Sequence, residues 1–435
     1  MNRNSTIVSN NSFNENENEN ENESDEYISD EEPYTNLTSQ ILNNRYICLC
    51  FISNGSFSSV WLIYDILDFN LKSAKIFHDS PEEFKNETQI FNKLNSTTTN
   101  PNIVKCFDIF EEEDVSVIVT ELLGISLLDI INDLNSNTYT LFSHNIKRIF
   151  YQILNGINGL QSLGIIHADI KPDNILLDLL PTKMLSISTR IEDLNLFDAY
   201  NQIQTQLTPP EYEQYNKNKK KMIKRKIKIK SLKLIRDYIF KKIDFNSIQS
   251  SPDGSGSYNI EKLIENKFTI KIIDFSNSEF DTSISQNELY IRSYRPLENI
   301  INIDYNKKSE IWAVGCLFYE LLTGLSLFQL KKFNTETETN IDHIYNILET
   351  FKTQNYIEIV ETSDFYDMFF RNQKLKVKTK YEILEFREKI KHNSILEFDV
   401  HQLDEMYNFL SCLFIFNVNL RPDCNILLNH TFFNR

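Results

Sequence analysis

Ile166-His167-Ala168-Asp169-Ile170-Lys171-Pro172-Asp173-Asn174-Ile175-Leu176 sets a polar loop between two apolar runs. Asp169, Lys171 and Asn174 stand in it at spacings of two and three residues. Composition alone would allow a plain polar loop with a Pro172 turn, so the rest of the chain must supply the loop with partners. Lys75 lies in Ser73-Ala74-Lys75-Ile76, flanked by apolar residues on a predicted strand, Leu71–Phe77. Glu87 follows twelve residues later on a segment of helical periodicity, Glu82–Leu94. Asp274 ends the apolar run Ile272-Ile273-Asp274-Phe275-Ser276. A carboxylate at the end of an apolar strand suits a hard divalent cation, which takes oxygen donors. Taken singly, Lys75 and Glu87 read as solvated surface residues and Asp274 as a turn. Their joint occurrence, in this order, argues for one site.

Further strands are predicted at Tyr46–Ile52, Ser59–Asp65 and Val115–Thr120, and a helix over Ser143–Leu163. Strands with one helix, followed by helical segments, predict a small sheet lobe and a larger helical lobe, an α+β arrangement. With these parts in line, the loop resembles the protein-kinase catalytic loop, H-R-D-x-K-x-x-N, and Asp274-Phe275-Ser276 resembles the DFG segment. The resemblance runs from Asn44 to the C-terminus and implies a two-lobed kinase fold using ATP and Mg²⁺. It implies that Asp169 accepts the proton of the substrate hydroxyl and Lys171 neutralises the transferring phosphoryl group. It also implies that Lys75, held by Glu87, grips the α- and β-phosphates, and that Asn174 and Asp274 hold metal. Thr120 would be the gatekeeper, with the backbone of Glu121 to Leu123 holding adenine. The phosphate-covering turn is thin: G-x-G-x-x-G reads Ser53-Asn54-Gly55-Ser56-Phe57-Ser58, and Val60 follows it. Loss of its outer glycines is expected to stiffen this turn.

Within kinases the chain most resembles the SR protein kinases of the CMGC group, which phosphorylate serines in Arg-Ser-rich segments. His167-Ala168-Asp169-Ile170-Lys171-Pro172 is similar to that family's HTDIKP. Ala168 takes the place of the Arg that in many kinases answers a phosphate on the activation loop, so activity without loop phosphorylation is implied. Asp169 and Asp274 lie 105 residues apart, as in kinases with a long spacer. Ile291-Arg292-Ser293-Tyr294-Arg295-Pro296-Leu297-Glu298 is similar to T-R-Q-Y-R-S-L-E, and implies a bridge from Glu298 to Arg421. Asp342 and Glu349 share a helix face at i and i+7. The resemblance implies that they, with Arg292 nearby, line a docking groove for Arg-rich peptides. An exposed acidic helix face is the competing reading. Ser276, Glu310 (for an Asp bracing the catalytic loop) and Leu325 (for an acidic docking residue) depart from the pattern. A dual-specificity kinase with other substrates and a nucleotide-binding pseudokinase scaffold are the alternatives.

The boundaries expected are a tail at 1–34, a sheet lobe at 44–121, a helical lobe at 122–178 and 265–435, and a spacer at 179–264. The 435 residues carry a net charge of −16, unevenly spread. The tail holds ten acidic residues and one basic, too polar to offset its ordering entropy, and should be disordered. Residues 217–242, inside an irregular block from Leu179 to Glu265, hold 13 basic residues and one acidic. Set aside both segments and the body carries −19, a field suited to cationic substrates and unsuited to a nucleic-acid coat. The basic run admits an import-factor signal, an anchoring surface, an RNA-binding surface, a pseudosubstrate, or a solvated disordered insert. Its Ile and Leu content suggests that part of it is a helix docking on something. Six cysteines without CxxC pairs, no apolar h-region at the start and no long apolar span point to a cytoplasmic protein. No membrane partner is expected, nuclear shuttling is possible through the basic run, and a monomer is the family expectation.

Overall fold

The apolar and β-branched runs form an antiparallel sheet in the computed structural model, which describes residues 36–433. Excepted are 56–57, 98–99, 113–114, 136–142, 251–264, 266, 282–290, 304–305, 332, 378–379 and 396–397. The expected tail at 1–34 lies outside the described residues. Strands β1 (Ile41–Leu42), β2 (Tyr46–Asn54), β3 (Ser58–Asp65) and β4 (Asn70–Phe77) precede helix α1 (Pro81–Asn95), and β5 (Cys106–Glu112) and β6 (Val115–Glu121) follow it. The sheet order is β1-β2-β3-β4-β6-β5. Its register sets Ser53 opposite Val60, Val60 opposite Lys75 and Lys75 opposite Ile118. Cross-strand partners share a face, so this ladder lines one side of the sheet. Ala74 and Ile76 alternate to the other, packing with Tyr46, Trp61 and Val117.

The helical lobe begins with α2 (Leu127–Asn135) and α3 (Ser143–Ser162), then β7 (Ile165–Ile166) and β8 (Ile175–Leu177). After the spacer, β9 (Ile270–Ile272) pairs with β8 and β10 (Glu279–Phe280) with β7. These two short ladders bring the loops carrying Asp169 and Asp274 together across 105 residues of sequence. Further along come helices α8 (Leu297–Ile300), α9 (Ser309–Thr323) and α10 (Glu336–Thr350), numbered after those of the spacer. All but one residue of α9 are buried, as its nearly all-apolar sequence Ile311–Leu322 requires. It ends at Gly324, whose φ of +68° is the left-handed conformation that glycine adopts without penalty.

The spacer corrects the expectation of an irregular block. It folds as α4 (Thr182–Asp193), α5 (Leu196–Leu207), α6 (Lys217–Lys242) and α7 (Phe245–Ser250). Leu232, Ile235, Ile239 and Ile243 recur at helical spacing between the lysines. They pack with Ile187, Ile191, Leu196 and Tyr200 against Ile47, Leu49, Leu62 and Tyr64 of the sheet. An apolar sheet face needs a cover, and this helical layer provides it, with Leu122 at its edge. The basic run is therefore neither disordered nor wholly solvated. Its second half is anchored, whereas none of residues 217–230 is buried. Among the described residues no helix is long and apolar enough to cross a membrane, and the six cysteines are unpaired. Truncating the anchor, Ile235→Ala or Ile239→Ala, should each cost about 2–5 kcal/mol. Denaturant unfolding measures this, and an unchanged midpoint would contradict the packing.

Candidate functional site

Lys75 reaches off β4 toward α1, and its Nζ lies 2.7 Å from Glu87 Oε2 and 2.7 Å from Asp274 Oδ1. Glu87 is buried. Burial lowers the proton affinity of Lys75, but the two carboxylates beside it win and hold the ammonium charged. The same contact keeps Asp274 ionised, well below the usual carboxylate range despite its burial. Asp274 itself takes a φ of +63°, a conformation strained for a residue with a side chain. Phe275 is fully buried, 5.2 Å from the Phe91 ring and 5.4 Å from the His167 ring. This wedge fixes the turn that aims Asp274 at Lys75.

Ser276 departs from the pattern, which has glycine at this place. It lies outside the left-handed region, so its backbone needs no glycine. Its hydroxyl donates to Asp274 Oδ1 at 2.6 Å and so helps to orient that carboxylate. Both strong contacts of Asp274 use Oδ1, and Oδ2 has no hydrogen-bond partner among the described residues.

The loop at 167–174 is equally tied. Lys171 Nζ donates to Asp169 Oδ2 at 2.9 Å, and Asn174 Nδ2 donates to the same oxygen at 3.0 Å and to the Asp169 carbonyl at 2.9 Å. Asp169 Oδ1 has no partner among the described residues, an acceptor left open. The Ile273 N–H donates to the Asn174 carbonyl at 3.0 Å, joining this loop to the Asp274 turn. Glu310, at the start of α9, still braces the loop in spite of its extra methylene. Its Oε1 accepts from the N–H of His167 at 2.7 Å and of Ala168 at 3.3 Å, and its Oε2 from Gln161 at 3.2 Å. Beyond the loop, Glu298 and Arg421 form the expected bridge, bidentate at 2.8 and 3.1 Å with both side chains fully buried.

The residues expected to hold adenine begin at the end of β6. Thr120 pairs with Ser73 on β4, two residues from Lys75 and on its face of the sheet. Glu121 turns its side chain away, accepting from the Lys105 N–H at 2.7 Å and pairing with Lys271 at 2.9 Å. The backbone of Leu123 takes part in no hydrogen bond among the described residues. Gly124 follows, where a Cβ would fall 1.8 Å from the Leu179 carbonyl oxygen, so glycine is required to let the chain pass. At the turn, the Gly55 N–H donates to the Ser58 carbonyl at 2.7 Å, with Ser53 and Asn54 exposed beside it. Ser56 and Phe57 lie outside the described residues.

The docking residues are corrected. Asp342 is buried and its carboxylate is already used, accepting from the Tyr381 hydroxyl at 2.8 Å and the Lys331 N–H at 3.2 Å. Packing of α10 against the lobe leaves Asp342 nearly buried at the wall of a small hollow, its carboxylate already engaged by Tyr381 and the Lys331 N–H. Glu349 pairs with Lys352 at 3.4 Å and does not join Asp342. Arg292 is bound to Asn340 and, at 3.2 Å, to Glu336, both on α10. Sequence reading passed over Asn86 and Asn277. Asn86 donates to the carbonyls of Ser276 at 2.8 Å and Ser278 at 2.9 Å. Asn277 reaches toward Asp169 Oδ2 at 3.5 Å. Their only signal was adjacency, to Glu87 and to Ser276.

The geometry fits a metal-bound nucleotide. One charged ammonium stands beside an oriented carboxylate with a free oxygen, and the Asn174 amide oxygen is on the adjoining loop. No cluster of three or more metal-binding side chains occurs among the described residues. A magnesium-like ion with few protein ligands completes its shell with water and phosphate oxygens. The family model for the protein kinase domain matches residues 48–224 and 258–433, and the chain belongs to that family. It is 27% identical over 72% of its length to a probable serine/threonine-protein kinase, clkA, of Dictyostelium discoideum. It is 24% identical over 92% of its length to the serine/threonine-protein kinase AFC1 of Arabidopsis thaliana, and 23% identical over 69% to the dual specificity protein kinase lkh1 of Schizosaccharomyces pombe. The chain spans 28% of clkA, 34% of lkh1 and 73% of AFC1. A crystal structure of a kinase domain shares the fold at a TM-score of 0.60 and 21% identity, over 92% of this chain and 98% of that one.

Two outcomes follow from the buried charges. Removing one partner of the Glu298–Arg421 bridge, as in Glu298→Ala, should cost about 3–5 kcal/mol because it strands a buried charge. Calorimetry or denaturant unfolding reads this, and a loss near zero would contradict it. Burial pushes the Glu310 carboxyl up to about 7 against the three N–H donors that pull it down. The folded chain thus holds a proton there that the unfolded chain has released. Its contribution to stability is complete below the ordinary carboxylate value and is lost as pH rises through about 7. The melting temperature of the wild type relative to Glu310→Gln should therefore fall between about pH 5 and about pH 8. A pH-independent difference would contradict this.

Proposed function

We propose that the protein is an ATP- and Mg²⁺-dependent protein serine/threonine kinase. The observation that carries this is the Lys75 ammonium at 2.7 Å from both Glu87 and Asp274, beside the Asp169–Lys171–Asn174 loop. Bound Mg·ATP supplies the phosphoryl group. Lys75, fixed by Glu87, holds the α- and β-phosphates, and Asp274 Oδ2 with the Asn174 amide oxygen holds the metal. Thr120, Val60 and the backbone from Glu121 to Leu123 would enclose adenine, and the turn carrying Ser53, Asn54, Gly55 and Ser58 would cover the phosphates. Asp169 Oδ1 takes the proton from the substrate hydroxyl, and Lys171 offsets the charge that builds on the transferred group.

Serines in Arg/Ser-rich proteins are the substrate class supported by the motif resemblance, the long spacer and the negative body. Asp342 no longer supports it. Constitutive activity is supported by Ala168, which offers no guanidinium to a loop phosphate. The names of lkh1 and its kind favour one rival, dual-specificity transfer to other substrates. The exposed lysines at 217–230 support binding of an import factor, an anchor or RNA, and movement between cytoplasm and nucleus. A charge-reversed helix with unchanged location and partners would dismiss these roles.

Radiolabelled ATP with Arg-Ser, proline-directed and tyrosine peptides tests the reading. Transfer to the Arg-Ser peptide should dominate and weaken as salt screens the body's charge. Lys75→Met and Asp274→Asn should each lower the rate by about 10²-fold or more. Full activity in either variant would refute the assignment, and preference for tyrosine would favour the rival.

A further inference from the structure

Helix α1 meets the Asp274 turn through a second residue beside Glu87. Asn86 sits one position earlier on α1, so its side chain leaves the helix about 100° away from that of Glu87. Its Nδ2 donates to the Ser276 carbonyl at 2.8 Å and to the Ser278 carbonyl at 2.9 Å, which uses both protons of the amide. The segment it grips is short and anchored at each end. Asp274 is tied to Lys75 before it, and β10 pairs with β7 after it. Ser278 is buried, and its hydroxyl donates to the His167 carbonyl at 3.1 Å, which joins the same segment to the catalytic loop. Phe275 adds an N–H donated to Glu87 Oε1 at 3.4 Å and a ring packed on Phe91 of α1.

The buried residues Phe84, Ile90 and Phe91 seat α1, but apolar contact is non-directional. The pairing of Glu87 with Lys75 adds one direction and the Asn86 amide a second, and two directions set the rotation of the helix about its axis. Both partners of the amide are backbone carbonyls, so this tie carries no net charge and needs no modified side chain. Ala168 offers no guanidinium to a loop phosphate, so a fixed α1 needs another cause, and the amide supplies one. We propose that Asn86 is a positioning residue that locks α1 onto the Ser276–Ser278 segment and so keeps Glu87 at Lys75 without a phosphorylated loop. It rests on the reading of the chain as a kinase active without loop phosphorylation.

The test joins amide hydrogen exchange to turnover, both on the full chain. Asn86→Asp keeps the shape and removes both donors, and Asn86→Ala removes the side chain. Lys85→Ala, exposed on the same helix, is the control. Both Asn86 variants should speed exchange at 275–278 and along α1 at least about tenfold, the scale of one lost hydrogen bond with its carbonyl stranded. Lys85→Ala should leave exchange and turnover unchanged. After phosphatase treatment the wild type should keep its rate, and Asn86→Asp should lower kcat at least about tenfold. In a Glu87→Gln background the same change should cost less than about twofold, because a residue that acts through Glu87 has nothing left to position. Four results would overturn the proposal: exchange unchanged at 275–278, a wild-type rate lost with its phosphate, an undiminished kcat in Asn86→Asp, or an Asn86 effect as large without Glu87 as with it. A chain without turnover in any form would sink the kinase reading, and exchange would still decide whether Asn86 locks α1.

Discussion

A single ammonium, that of Lys75, holds the sheet lobe, α1 and the Asp274 turn in one arrangement. It lies where burial would neutralise it, and it stays charged because Glu87 and Asp274 both touch it. The dependence is mutual. Without Lys75, Glu87 would be a fully buried carboxylate lacking its cation, and Asp274 would lose the charge that keeps it ionised. Around this centre the backbone does the spacing. The pairings of β8 with β9 and β7 with β10 suspend both loops, and Glu310 clamps one of them from the middle of the helical lobe.

The spacer extends the same logic to packing. The face of the sheet that carries Leu62 and Tyr64 needs apolar cover, and α4 to α7 supply it. Leu122, in the middle of the segment proposed to hold adenine, packs at the edge of that cover. The spacer is thus part of the small lobe's core and not a passenger between two catalytic loops. The two halves of α6 differ in role because they differ in pattern. Leu232, Ile235 and Ile239 make a buried stripe, whereas the lysines of 217–230 leave no such stripe.

The sequence made the chemical centre legible because its residues lie in short motifs bounded by apolar runs. Lys75 between Ala74 and Ile76, and Asp274 after Ile272-Ile273, announce their strands locally. Strands β2, β3, β4 and β6 and helices α1 and α3 were foreseen for the same reason. The Ile and Leu content of the basic run pointed to a docked helix, but the folding of the whole spacer was not legible, because lysine density masked the spacing of its four buried residues and the sheet face they cover belongs to distant sequence. Asp342 was misread because i and i+7 periodicity says which residues share a face and not whether that face looks inward. Ser276 showed in the sequence as a departure, and only backbone geometry could show that no glycine was needed there.

The central claim is that Lys75, Asn174 and Asp274 form one site for a metal-bound nucleotide. The most direct measurement is the melting temperature of the full chain with a non-hydrolysable ATP analogue, with and without Mg²⁺. The account predicts a rise that needs both metal and nucleotide and disappears in Asp274→Asn. A melting temperature indifferent to the analogue and Mg²⁺ together, in a chain otherwise folded, would contradict it.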